Sequence, residues 1–152
     1  MNRIEKRAIE AQAIAPVIRE ISRRIGAKDA REIVENINRE EAFERGRDLA
    51  KKAEGKTIEF LVEDVKTWGA GSMWEMEILE QTPTTYFFNV LRCPYYEKYR
   101  ELGLEEYGVE LSCCRDEPFA RGLDPRLKLV RTKTIMEGGG VCDFRYYLPP
   151  EE

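Results

Sequence analysis

Histidine is absent from the 152-residue chain, and this absence excludes several kinds of site. Neither a Ser-His-Asp triad nor a Cys-His pair can form, and no metal can be held by imidazole. A general base must therefore be Asp, Glu, Cys, Lys or Tyr. The chain also lacks an apolar run near the roughly 18 residues of a membrane span and the core of a signal peptide. We therefore expect a cytoplasmic protein with no membrane partner.

Charge of one sign does not dominate either, since the net charge is only −4. This balance provides no general electrostatic attraction to nucleic acid, so no nucleic-acid partner is expected. The length predicts a single domain over residues 1–152, mainly helical over 1–70, with a sheet and inserted helices over 71–148. The four cysteines include no CxxC pair. In a cytosolic chain they are expected to be reduced thiols or metal ligands rather than disulfides.

Helical periodicity dominates the first half of the chain. It predicts a helix over 2–25, with a kink or two segments at Pro16, and a second helix capped by Asp29 and stopped by Gly55. A third helix, capped by Thr57, is expected over 57–68, although 58–62 could also alternate as a strand. The charged residues of the long helices are expected to form a solvated face. A homodimer contact through these helices is the alternative.

Alternation with a period of two follows from residue 72 onwards. Trp74, Met76 and Ile78 are predicted to share the inner face of a first strand, and 85–92 to return as the second. Helices are expected over 94–102 and 104–114, with Pro118 breaking or restarting the latter. Strands over 127–136 and 141–148 would pair as a hairpin across the triple glycine. The predicted fold class is α+β, with N-terminal helices on a four-stranded antiparallel sheet whose two hairpins flank a helical excursion.

Cysteines in three separate segments of the second half are the candidate functional residues. Cys93 ends a predicted strand, and Pro94 fits the first position of a helix, whose dipole would favour a thiolate. Cys113 or Cys114 lies in the excursion, and Cys142 lies on the last strand. Each has polar or charged neighbours in the sequence, which is unusual for core cysteines: Asn89, Arg92, Glu110, Asp116 and Asp143.

Two chemistries fit these residues, and simple packing of cysteines in the core is a third interpretation. Three thiolates and one carboxylate could hold zinc, or leave a position open for an activated water. Alternatively, one cysteine is a nucleophile, with Asp116 or Glu110 transferring protons. Arg131 could bind a substrate carboxylate, or it could lie on a solvated strand face.

The second half resembles the L-2-amino-thiazoline-4-carboxylic acid hydrolase family. The matching segments are NVLRCPY at 89–95, CCRDE at 113–117, LKLVRTKT at 127–134 and GGGVCDF at 138–144. The N-terminal helices carry no motif. The resemblance implies hydrolytic opening of a cyclic amidine toward N-carbamoyl-cysteine by a hydrolase acting on C–N bonds. It implies catalytic roles for Cys93, Cys113, Asp116 and Cys142, and substrate contacts from Asn89, Arg131 and Asp143. Cys114 beside Cys113 leaves open which of the two belongs to the site.

The arrangement is also similar, more distantly, to small-molecule-binding domains of the 4-vinyl-reductase type. That similarity implies a structural zinc held by Cys93, Glu110, Cys113 and Cys142. The alternative function is therefore a sensor or binding domain without turnover.

Overall fold

Three helices form the first half of the chain. In the computed structural model, which describes residues 1–69 and 71–151, α1 spans Arg3–Ile25, α2 spans Ala27–Ala53 and α3 spans Thr57–Trp68. The helical interpretation of 57–68 is thus confirmed. The helix α1 continues through the exposed Pro16, so the predicted division into two segments is wrong.

Two predicted caps also differ from the structure. The helix α2 begins directly after Gly26, whose φ of +99° reverses the chain, so Asp29 lies inside the first turn instead of capping it. Lys56 is the residue before α3, and Thr57 instead donates its hydroxyl hydrogen to Asp124 Oδ2 at 2.7 Å. The Thr57 hydroxyl therefore binds a buried carboxylate from the second half of the chain instead of capping α3.

A four-stranded antiparallel sheet follows, as predicted. Its strands are β1 (Glu75–Gln81), β2 (Thr85–Arg92), β3 (Lys128–Val130) and β4 (Cys142–Tyr147), in the spatial order β1-β2-β4-β3. The α+β class and the two hairpins are confirmed. Ile78 lies opposite the buried Phe88 of β2, on the same side as Met76 as predicted, yet it is 53% exposed on the edge strand β1.

The third strand is much shorter than the predicted 127–136. Asp143 accepts hydrogen bonds from the backbone N–H groups of Thr132 and Lys133, both at 2.9 Å, so its side chain replaces strand pairing there. The chain then turns, with the Gly139 N–H donating to the Thr134 carbonyl at 2.8 Å. The residues before the triple glycine are thus a loop that returns over the sheet.

The excursion between the hairpins contains α4 (Pro94–Glu101), α5 (Gly108–Leu111) and α6 (Asp116–Leu123). The helix predicted over 104–114 is wrong, since this stretch consists of α5 between two 3₁₀ turns. Pro118 restarts a helix, because it lies in the first turn of α6, where its missing N–H breaks no intrahelical bond.

The core lies between one face of the sheet and the helices. Phe88 and Phe144 stack on neighbouring strands with centroids 4.8 Å apart, and Trp68 of α3 packs edge-on against Phe144 at 5.8 Å. On the other side, α2 and α6 cross closely at Gly46 and Gly122, where each glycine faces the backbone of the opposing helix. This crossing fixes α6, which carries Asp116 at its start.

The outer faces of α1 and α2 carry exposed apolar side chains, among them Ile9, Val17, Ile33 and Ile37. A homodimer contact there stays a prediction. Within residues 1–69 and 71–151, no helix has the length and apolar character needed to cross a membrane.

Candidate active site

One pocket gathers side chains from all three cysteine-bearing segments. Cys93 comes from the β2–α4 junction, Cys113 from the turn before α6, and Cys142 from the start of β4. Asp116 and Arg131 line the same pocket, which encloses about 840 Å³ of empty space including its open mouth. Residues far apart in sequence therefore meet around one cavity at the end of the sheet.

Local backbone structure fixes the orientation of each cysteine. Cys93 is the N-cap of α4, with Pro94 at the first helical position as predicted, and its sulfur accepts the Tyr96 N–H at 3.5 Å. The Cys142 sulfur accepts the Ile135 N–H at 3.2 Å. Cys114 does not line the pocket, and its sulfur donates to the Glu110 carbonyl at 3.2 Å. The structure thus places Cys113 on the cavity and Cys114 behind it.

Burial raises the pKa of every thiol in the pocket. Desolvation is the largest effect at Cys93, and hydrogen bonds from the Tyr96 and Tyr95 backbone only partly oppose it. The pKa of Cys142 is raised to about 11, and that of Cys113 lies well above its ordinary value. The hydrogen bonds at the α4 N-terminus do favour a Cys93 thiolate, but loss of water outweighs them, and the net pKa of Cys93 is raised. These groups are thiols near neutral pH.

Asp116 and Arg131 form an ion pair within the pocket. Arg131 donates to Asp116 Oδ2 at 2.5 Å and to the Cys113 carbonyl at 3.1 Å, and its guanidinium lies over the Phe144 ring at 5.1 Å. Burial raises the pKa of Asp116, although the Arg131 charge lowers it in part. Because both terminal nitrogens of Arg131 already bind protein atoms, this residue orients Asp116 and Cys113.

Four further arginines line the pocket, and motif analysis missed all of them. They are Arg3, Arg7, Arg45 and Arg115. With Arg131 they are five cations against two lining carboxylates, Glu41 and Asp116. Glu10 pairs with Arg7, and Asp64 pairs with both Arg3 and Arg45, so an excess of one positive charge remains. Two signals were available: Arg115 lies within the CCRDE segment, and Arg3 and Arg7 are four residues apart and so share one face of α1. The helical charges interpreted as a solvated face therefore include much of the pocket's positive charge.

A model of the L-2-amino-thiazoline-4-carboxylic acid hydrolase family matches residues 6–146, nearly the whole chain. The chain belongs to this family. The match includes most of the N-terminal helices, where motif comparison found nothing, and the matched part of these helices supplies Arg7 and Arg45 of the pocket. Comparisons with curated proteins and with solved structures found no significant match.

Three predicted site residues of this family member lie outside the pocket lining. Asn89 accepts from Arg145 at 3.0 Å on the face of β2 opposite the buried Phe88 and Val90. Asp143 holds the loop after β3, as described above. Glu110 pairs with Arg31 of α2 at 3.3 Å. These three residues hold together elements around the site and do not line the cavity.

The ligand set proposed for zinc does not fit the structure. Glu110 is absent from the pocket lining, and its Oε2 is buried without a hydrogen-bond partner among the described residues. Within those residues, no group of three or more cysteine and carboxylate side chains is arranged to hold a metal ion.

Proposed function

We propose that this chain hydrolyses a small cyclic amidine such as 2-amino-thiazoline-4-carboxylate, opening the ring to N-carbamoyl-cysteine. Family membership supports the hydrolase class. The observation that carries the proposal is the convergence of three thiols and Asp116 in one pocket with an excess of positive charge. Nucleophile, proton carrier and anion attraction are thus available within one cavity.

The positive lining favours an anionic substrate. Arg3 and Arg45 share Asp64, with nitrogen–oxygen distances of 3.7 and 3.2 Å, so one carboxylate balances two guanidinium groups. A substrate carboxylate at this end would supply the missing negative charge in a partly desolvated site, where the attraction is stronger than in water. The amidine carbon would then lie toward the thiols and Asp116.

The reaction begins with attack of the Cys113 sulfur on the amidine carbon, adding across its C=N bond. Asp116 accepts the thiol proton, because the raised pKa of Cys113 means that no thiolate is preformed. The raised pKa of Asp116 makes it a stronger base than an ordinary carboxylate. The bond from this carbon to the ring sulfur breaks, and Asp116 returns the proton to the departing sulfur. The bond cleaved is therefore C–S and not the C–N bond that the resemblance implied, because both nitrogens stay bound to this carbon in N-carbamoyl-cysteine.

Hydrolysis of the resulting isothiourea completes the cycle. Water adds to the carbon bound to Cys113 while Asp116 accepts one of its protons. The bond to the Cys113 sulfur breaks, and that proton returns to the sulfur. The other water proton stays with the product as the urea forms. The sum of the two stages is one substrate and one water giving one N-carbamoyl-cysteine.

Adjacent cysteines provide a matched test of this mechanism. We expect Cys113→Ala to lower kcat/KM for 2-amino-thiazoline-4-carboxylate by about 100-fold or more, as for loss of a catalytic group. Cys114→Ala, which changes the neighbouring thiol outside the pocket, is expected to alter it by less than about threefold. Asp116→Asn should resemble Cys113→Ala. Release of the free product thiol would be followed with a thiol-reactive dye after separation from the protein.

Two results would contradict the proposal. If the wild-type protein opens neither this substrate nor related cyclic amidines, the assigned function is wrong. If the substrate is hydrolysed and Cys113→Ala retains full activity, Cys113 is not the nucleophile. Intact mass measurement of rapidly quenched wild-type protein gives an independent check, because the isothiourea adds the mass of one substrate to the chain.

A further inference from the structure

Trp74 lies in the wall of the pocket and carries an unused hydrogen-bond donor. It precedes β1 and lines the cavity, and its indole Nε1 is buried with no hydrogen-bond partner among residues 1–69 and 71–151. A side chain at Gly69 would overlap the Trp74 side chain, so only glycine at position 69 provides space for the Trp74 ring. The ring also packs edge-on against Trp68 with centroids 6.4 Å apart. Packing therefore fixes the indole ring in the wall of the pocket.

Trp68 lines the same cavity, and its indole N–H has a hydrogen-bond acceptor. Its indole Nε1 donates to Asp64 Oδ2 at 2.9 Å. Buried donors nearly always have an acceptor, because burying an N–H without one forfeits its hydrogen bonds to water. Trp74 has none in the described residues, and it lies in a positively charged pocket. The missing acceptor is thus expected to arrive with an anionic ligand.

We propose that the Trp74 indole N–H binds the substrate carboxylate, beside Arg3 and Arg45, and so selects carboxylated rings. The identity of the substrate rests on the function proposed above. In 2-amino-thiazoline-4-carboxylate the strong acceptors are the carboxylate oxygens, whereas the amino group is a donor and the ring sulfur a weak acceptor. Asp64 joins Trp68 to both arginines, which places them near Trp74 in the wall. The N–H can only donate, so among polar ligand groups it selects acceptors such as a carboxylate.

Binding of rings that lack the amidine tests this role independently of hydrolysis. The probes are thiazolidine-4-carboxylate and thiazolidine, titrated by calorimetry into wild-type protein, Trp74→Phe and Trp68→Phe. Trp74→Phe is expected to weaken binding of the acid by about 10-fold, equivalent to about 1.4 kcal/mol. Its affinity for thiazolidine should change by less than about twofold, because that ring has no carboxylate to accept the N–H.

Stability separates ligand binding from simple packing. Trp74→Phe removes an unpartnered N–H, so the Tm of the ligand-free protein is expected to stay the same or rise. Trp68→Phe removes a partnered N–H, and it should lower the Tm while keeping the preference for the acid. The proposal is overturned if wild-type protein shows no preference for thiazolidine-4-carboxylate, or if Trp74→Phe retains the full preference. Hydrolysis of the thiazoline is measured separately, so its absence would overturn the proposed function without deciding the role of Trp74.

Discussion

The crossing of α2 and α6 predicts a large effect of a single methyl group. A Cβ added at Gly122 would overlap the Phe43 carbonyl oxygen and lie 3.0 Å from its carbon and 3.1 Å from the Arg47 nitrogen. Backbone atoms cannot rotate away, so the helices must separate. Overpacking costs about 1–3 kcal/mol, and rigid neighbours favour the upper end. Alanine recovers at most about 1 kcal/mol of helix propensity, so Gly122→Ala should lower the free energy of unfolding by about 2 kcal/mol.

Gly108→Ala is the matched control for this substitution. A Cβ at Gly108 would meet only the side chain of Met136, which is flexible and can move. We expect a loss below about 1 kcal/mol, within the usual range for a tolerated change. Urea unfolding followed by tryptophan fluorescence would measure both variants at equal m-value. A loss at Gly122 no larger than that at Gly108 would refute the argument. Because Asp116 begins α6, Gly122→Ala should also lower hydrolytic activity.

Three other predictions concern charge and thiol chemistry. Hydrogen bonds from Arg126 and Thr57 lower the pKa of folded Asp124, so its stabilising effect is present above the unfolded pKa of about 3.9 and is lost as pH falls through the folded value. Between about pH 5 and pH 2.5 the wild type should therefore lose more stability than Asp124→Asn. If the free energy of unfolding falls with pH equally in the two proteins, Asp124 does not have this role. Burial raises the pKa of Cys142 to about 11, so the rate of its alkylation by iodoacetamide should be low at neutral pH and should rise about tenfold per pH unit. If Cys142 reacts as fast as an exposed thiol, it is not buried in this way. Arg45→Gln should raise KM for a carboxylated substrate about 10-fold with a smaller change in kcat, and a change in kcat alone would remove Arg45 from substrate binding.

Sequence reasoning predicted the elements well where local rules dominate. Apolar periodicity placed α1 and α3, and alternation placed β2 and β4, because these patterns repeat over several turns or residue pairs. It failed at 104–114 and 127–136, where contacts made by distant residues replace local pairing. The Asp143 carboxylate, for example, takes the N–H groups that a longer third strand would have used. The periodicity of a sequence does not indicate that a side chain will replace a backbone carbonyl as the acceptor of an N–H group.

The amino-acid sequence by itself determined the α+β class, the absence of histidine chemistry and the family motifs that carry Cys93, Cys113, Asp116 and Cys142. Only the tertiary structure decided which of these side chains share a cavity. It turned Cys113 toward the pocket and Cys114 away, and it left Glu110 with Arg31. It also raised the thiol pKa values, since desolvation depends on what surrounds a group in space and not on its neighbours in sequence. The positive lining from α1 and α2 was decided in the same way, because charges on a helix acquire a role only when that helix packs against a site.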